Sequence, residues 1–183
     1  MERTINVNDA RRKVVVLDAS AFIAGYDPFS VRFQQYSVPS VRDELQKNSL
    51  SRLRFEAASE RGRLKILKPK PRFLERVRKA SIDVGDLSFL SEADLEILAL
   101  ALQLKDLGYI PSIITDDYSI QNVAEKIKVA FTSLATLGIR FQLKWIRYCP
   151  ACHRRYPTDY KSTTCEVCGA TLKRKPLKRT EIR

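Results

Sequence analysis

Val14-Val15-Val16-Leu17-Asp18 decides the fold of this 183-residue chain. Four consecutive apolar residues, three of them β-branched, read as a strand buried on both faces, as in the interior of a parallel sheet. The aspartate stands where that strand ends. Further along, 64–67 reads as a second strand, 113–114 as a third and 129–131 as a short fourth. Between them the pattern predicts helical character over 40–62, after Ser37-Val38-Pro39, and a basic helix over 71–81. A helix over 92–107 is opened by Ser91 and ended by Gly108, and another is predicted over 118–128. The helix over 92–107 is apolar on nearly every side, so it should be central and buried. Strands alternating with helices predict an α/β domain: a parallel sheet with helices on both faces.

The C-terminal part has a different signature. Cys149, Cys152, Cys165 and Cys168 are the only cysteines, and they form two Cys-x-x-Cys pairs separated by twelve residues. Two turns that each offer two thiolates can close a tetrahedral zinc shell, so one structural Zn²⁺ is expected. A closed shell leaves no open position, so this zinc folds a module and does no chemistry. Gly169 after the second pair suits a tight turn. His153 follows the first pair and, with four thiolates present, is read as a neighbour. Residues 141–148 alternate well enough to be a strand leading into the first pair. The division predicted is 1–138 for the α/β domain, 139–172 for the zinc module with its leading strand, and 173–183 for a basic tail.

The formal charge of +12 is uneven. Residues 146–183 hold ten Lys or Arg against Asp159, Glu166 and Glu181. Such a surface attracts polyanions, a phosphate backbone foremost. Lys173, Arg174, Lys175, Lys178 and Arg179 are candidate RNA contacts on a tail expected to be mobile. No stretch is long and apolar enough for a membrane span. The polar N-terminus lacks the apolar core of a secretory signal. With zinc-type cysteines, this predicts an intracellular, cytoplasmic setting.

In an α/β sheet, ligands bind beyond the carboxyl ends of the strands. Asp18 and Asp117 fall there, and Glu44 and Asp94 sit early in helices. Each has an ordinary structural explanation. Asp18 can cap a turn, and Glu44 can be a solvated helix residue. Asp94 stands three residues after Ser91, as in a capping box, and Asp116 or Asp117 can cap the next helix. If all four converge, their repulsion requires a cation, and hard Mg²⁺ or Mn²⁺ prefers such oxygens. Carboxylate-held metal beside a basic surface points to phosphodiester hydrolysis. The single His disfavours a histidine-based nuclease, and the lack of a Gly-rich phosphate loop disfavours an NTPase.

Val-Leu-Asp18-Ala-Ser20-Ala-Phe, Val-Pro-Ser-Val-Arg-Asp-Glu44, Leu-Ser91-Glu-Ala-Asp94 and Ile-Thr115-Asp-Asp117-Tyr-Ser-Ile-Gln-Asn-Val together resemble the PIN-domain nucleases. That resemblance implies a small α/β domain that cuts single-stranded RNA. It makes Asp18, Asp94 and Asp117 the principal Mg²⁺ or Mn²⁺ ligands, with Glu44 completing the acidic set. Ser20 and Thr115 orient them, and Asp116 is an auxiliary neighbour. With the Ile-Arg-Tyr-Cys-Pro-Ala-Cys stretch that leads into a zinc ribbon, the chain resembles the Nin-one-binding (Nob-one) endonucleases over about residues 14–172. It looks like a compact, archaeal-type version. The resemblance implies maturation of the 3′ end of small-subunit (16S-type) precursor rRNA within a pre-ribosomal particle, by direct hydrolysis that leaves a 3′-hydroxyl and a 5′-phosphate. A general or toxin-like PIN ribonuclease and a non-catalytic RNA-binding assembly factor are the alternatives, and a homo-oligomer is left open.

Overall fold

The computed structural model describes residues 12–47 and 49–182. Most of the polar N-terminal segment lies outside them. Five parallel strands form the main sheet: β1 (Lys13–Leu17), β2 (Gln34–Ser37), β3 (Leu64–Ile66), β4 (Ile110–Ile114) and β5 (Ala130–Thr132), in the order β3-β2-β1-β4-β5. Val14, Val16 and Leu17 are essentially inaccessible, as the apolar run requires. The connecting helices are α1 (Ala19–Ile23), α2 (Pro39–Glu44), α3 (Leu50–Glu60), α4 (Pro71–Val84), α5 (Glu92–Asp106) and α6 (Tyr118–Lys126). Helix α5 is the central one, with nine buried residues, because its apolar side chains wrap nearly the whole circumference.

Three expectations from the sequence need correction. The helical stretch over 40–62 is two helices. Leu45 leaves helical geometry at ψ 129° and is buried, and Ser49 caps α3 by accepting from the Arg52 N–H. Strand β2 was hidden by its composition, since Gln34, Gln35 and Ser37 are polar. The latter two are nonetheless fully buried, with their side-chain donors paired to backbone carbonyls and Gln35 Oε1 left without a partner. Gln35 Nε2 donates to the Pro28 carbonyl at 2.7 Å and Ser37 Oγ to the Leu17 carbonyl at 2.7 Å.

The third correction concerns the basic tail. In place of a mobile segment, Lys173–Glu181 forms strand β8, paired antiparallel along β6 (Phe141–Tyr148). With β7 (Arg155–Tyr156) they make a second sheet, ordered β7-β6-β8. Alternation explains why this strand orders. One of its faces carries Arg174 and Pro176 opposite Arg147 and Trp145, turned toward the main domain.

This second sheet is fastened to the main domain by specific contacts. Gly85 closes α4 in the left-handed region at φ 82°. A Cβ there would come within 2.9 Å of the Trp145 Cβ and carbonyl oxygen. Only glycine meets both demands. The Arg174 guanidinium lies 3.7 Å from the Phe89 ring centre and 4.2 Å from that of Trp145. It also pairs at 3.0 Å with Asp86, a carboxylate only 1% exposed. Asn122, on α6, donates to the same carboxylate at 2.5 Å and exchanges hydrogen bonds with both backbone groups of Leu143 on β6.

Candidate active site and cysteine cluster

The strand order reverses direction at β1 and β4, which makes the gap beyond their carboxyl ends the switch point of the sheet. Asp18 directly follows β1 there and is 4% exposed. Its Oδ2 accepts from Ser20 Oγ at 2.7 Å and from Thr115 Oγ1 at 2.9 Å. Thr115, just beyond β4, thus ties the two strand ends together. Its Oγ1 also receives the Asp117 N–H at 3.1 Å, and Ser20 Oγ receives that of Asp116 at 3.1 Å.

Glu44, the last residue of α2, reaches the same region. Its Oε1 accepts from Ser91 Oγ at 3.0 Å, and Ser91 forms the capping box of α5 with Asp94. The capping explanation of Asp94 therefore holds: its Oδ2 takes the Ser91 N–H at 2.7 Å. Asp117 caps α6, with Oδ1 accepting from Ser119 and Ile120 N–H at 2.6 and 3.1 Å. Structural and functional roles coexist because each carboxylate has two oxygens. Asp18 Oδ1, Glu44 Oε2, Asp94 Oδ1 and Asp117 Oδ2 accept no hydrogen bond among the described residues.

Electrostatics show that the acids sense one another. Burial first, then the negative charges of Asp18 and Asp117, push the Asp94 carboxyl up to about 6 against the pull of Ser91. Glu44 is raised by partial desolvation and by Asp18, with Ser91 opposing. Hard carboxylate oxygens are the donors that Mg²⁺ or Mn²⁺ takes, but no three of these acids bring their oxygens within 4.8 Å of one another, so an ion bound here would draw them closer. Asp116 differs. Its two oxygens accept from the N–H groups of Leu134, Ala135 and Thr136 and from the Thr136 hydroxyl. Although partial desolvation opposes it, these bonds hold its carboxyl below the usual range. It anchors a loop, and neither oxygen is left free.

The four cysteine sulfurs all lie within 4.8 Å of one another, the only group of this kind among the described residues. Sγ pairs stand at 3.4 Å (Cys149–Cys168) and 3.5 Å (Cys152–Cys165). Tetrahedral zinc with Zn–S of about 2.3 Å asks for roughly 3.8 Å between sulfurs, so the cluster fits with little adjustment. The two turns are alike. The Gly169 N–H donates to the Cys165 carbonyl at φ 72°, and the His153 N–H to the Cys149 carbonyl at φ 61°. His153 is thus the left-handed residue of its turn, a conformation that histidine tolerates better than most. The Tyr156 hydroxyl, 3.0 Å from Cys165 Sγ, leads the contacts that hold that thiol down at about 6.

The basic segment divides between two faces. Lys173, Lys175, Lys178 and Arg179 are exposed, and Lys175 sits 4.6 Å over the Tyr148 ring. Arg174 is turned inward to Asp86, Phe89 and Trp145. Sequence reasoning missed Asp86, Asn122 and Gly85, and also Gln121, whose buried amide bridges the Thr115 carbonyl, Ser133 and the Ile139 N–H. The available signal was Gln121-Asn122, two adjacent amides beside the apolar Ile120, Val123 and Ala124. No helix among the described residues is long and apolar enough to cross a membrane.

A family model described as the PIN domain of ribonuclease matches residues 15–104. The chain is 41% identical over 160 residues to Endoribonuclease Nob1 of Methanothermobacter thermautotrophicus, spanning 87% of this chain and 91% of that protein. Endoribonuclease Nob1 of Pyrococcus abyssi is 36% identical over 159 residues, with the same shares of 87% and 91%. Ribonuclease VapC3 of Aeropyrum pernix is 38% identical over 127 residues, 69% of this chain and 90% of that protein.

Proposed function

The chain belongs to the family of Nob1 endoribonucleases, and from that membership we propose that it hydrolyses a phosphodiester at the 3′ end of precursor small-subunit rRNA. In this reading residues up to 138 cut and those from 139 onward hold the RNA, in the cytoplasm. The observation that carries it is the placement of Asp18, Glu44, Asp94 and Asp117 around the switch point, where Asp94 and Glu44 feel the charge of Asp18 and each acid has one oxygen tethered and one free. Asp18, Asp94 and Asp117 would hold Mg²⁺ or Mn²⁺, with Glu44 completing the set. A divalent ion bound there supplies an acidified water and neutralises charge on the phosphoryl oxygens. The chain's own part is orientation. Ser20 and Thr115 fix the Asp18 carboxylate, Ser91 fixes Glu44 and Asp94, and the first turn of α6 fixes Asp117. Cys149, Cys152, Cys165 and Cys168 would hold one structural Zn²⁺.

Lys173, Lys175, Lys178 and Arg179 are the proposed phosphate contacts, and Arg174 instead fastens the sheet. A toxin-like ribonuclease shares the chemistry. The VapC3 alignment, at 127 residues, is too short to include both the whole nuclease domain and the ribbon, whereas the Nob1 alignments span 159 and 160. The test is incubation of RNA spanning the 3′ end of small-subunit rRNA with Mn²⁺ and either wild type or Asp18→Asn. Wild type should make a discrete cut, and Asp18→Asn should lose at least about 100-fold in rate, because a neutral amide is a poor ligand for a hard cation. Equal rates would remove Asp18 from the chemistry.

A further inference from the structure

Two exposed aromatic rings, one of them next in the chain to Asp117, serve no evident purpose in folding. Tyr118 directly follows Asp117 as the first residue of α6, and it is 54% exposed. Its hydroxyl makes no hydrogen bond among the described residues. Phe141, the first residue of β6, is 43% exposed. Both line one small groove together with Trp145 and Arg174. The guanidinium there is fixed in place by Asp86 and by the two rings that flank it. The groove therefore includes the residue that follows a proposed metal ligand, two partly exposed aromatic rings and one fixed cation.

We infer that Tyr118 and Phe141 form a stacking site for an unpaired RNA base immediately beside the scissile phosphate. The inference rests on the ribonuclease reading above. Exposed rings suit a base because every base offers a π-face regardless of sequence. The base must be unpaired, since in a duplex its faces are covered by neighbours. A nucleic acid is favoured as occupant by the +12 charge of the chain and by the place of Tyr118 in the groove lining, directly after Asp117 in the chain. The site would thus select single-stranded substrate and set which phosphate reaches the carboxylates.

The experiment pairs a protein change with a substrate change. Affinity and single-turnover cleavage are measured for zinc-replete full-length protein with a labelled single-stranded RNA. One abasic nucleotide is placed at each position flanking the cut in turn. Tyr118→Ala should weaken binding about tenfold, and Tyr118→Phe should bind like wild type. At one flanking position the abasic RNA should cost wild type a similar factor and cost Tyr118→Ala almost nothing more. Phe141→Ala provides a second, independent reading of the same coupling. Losses that multiply at every position, for both variants, overturn the inference, as does failure of wild type to bind the RNA at all. If wild type binds but does not cut, the nuclease reading fails, while the coupling is still decided from affinity.

Discussion

At the scale of single residues, the acidic site holds carboxylates together at a cost. Asp94 is raised to about 6 by burial and by its neighbours, so the folded protein binds that proton more tightly than the unfolded chain does. Its contribution to stability is present below the ordinary carboxylate value and is lost as pH rises through about 6. Zinc-replete protein dialysed free of Mg²⁺ and Mn²⁺ should therefore melt higher at pH 5 than at pH 7.5. Asp94→Asn keeps an acceptor for the Ser91 N–H, so it should narrow that difference by a few degrees, and added Mn²⁺ should raise the melting temperature of wild type more than that of the variant. Thermal unfolding with an identical pH dependence in both proteins would contradict this. Asp18 and Asp94 were legible in the sequence because each stands at a strand end or helix start that patterning reveals. The preference for Asp117 over Asp116 came from the family resemblance and not from patterning, because the role of Asp116 depends on where the loop over 134–136 returns. That loop takes both oxygens of Asp116.

At the scale of elements, buried apolar runs were readable and satisfied polar ones were not. Strand β1 and helix α5 announce themselves through side chains alone. Strand β2 is buried with its Gln35 and Ser37 donors paired to the carbonyls of Pro28 and Leu17, which no local pattern shows. Strand β8 looks like a tail because its charges alternate with few apolar residues, and its order comes from pairing with β6 and from Arg174. The junction between the two sheets is accordingly sensitive at Gly85. Gly85→Ala places a methyl 2.9 Å from Trp145 at a left-handed position and should cost about 1–3 kcal/mol, read by denaturant unfolding. A neutral result would mean that the junction yields easily. Cys168→Ser should lower zinc content from one ion per chain and unfold the small module while leaving the main sheet folded. Elemental analysis and hydrogen exchange resolve the two parts.

At the scale of the whole molecule, two functions are divided between two sheets in the proposed reading: carboxylates at the switch point of the parallel one, cations on the antiparallel one. The charge imbalance pointed to a polyanion surface, and the face that carries its cations depends on the pairing of β8. Truncation at 173 would thus remove a structural strand along with the charges, so substitution is the cleaner probe. Changing Lys173, Lys175 and Lys178 to Gln should make the slope of log affinity against log salt shallower by about 2, at roughly 0.7 per phosphate contact on a single strand. An unchanged slope would move the holding surface elsewhere. The claim that unites both sheets is direct hydrolysis of RNA at the carboxylate site. Its most direct test is end-group analysis of the product made by wild type with Mn²⁺ from RNA spanning the 3′ end of small-subunit rRNA. The account predicts a 3′-hydroxyl on one fragment and a 5′-phosphate on the other, both lost with Asp18→Asn. A 2′,3′-cyclic phosphate, or the same products from Asp18→Asn at the wild-type rate, would contradict it.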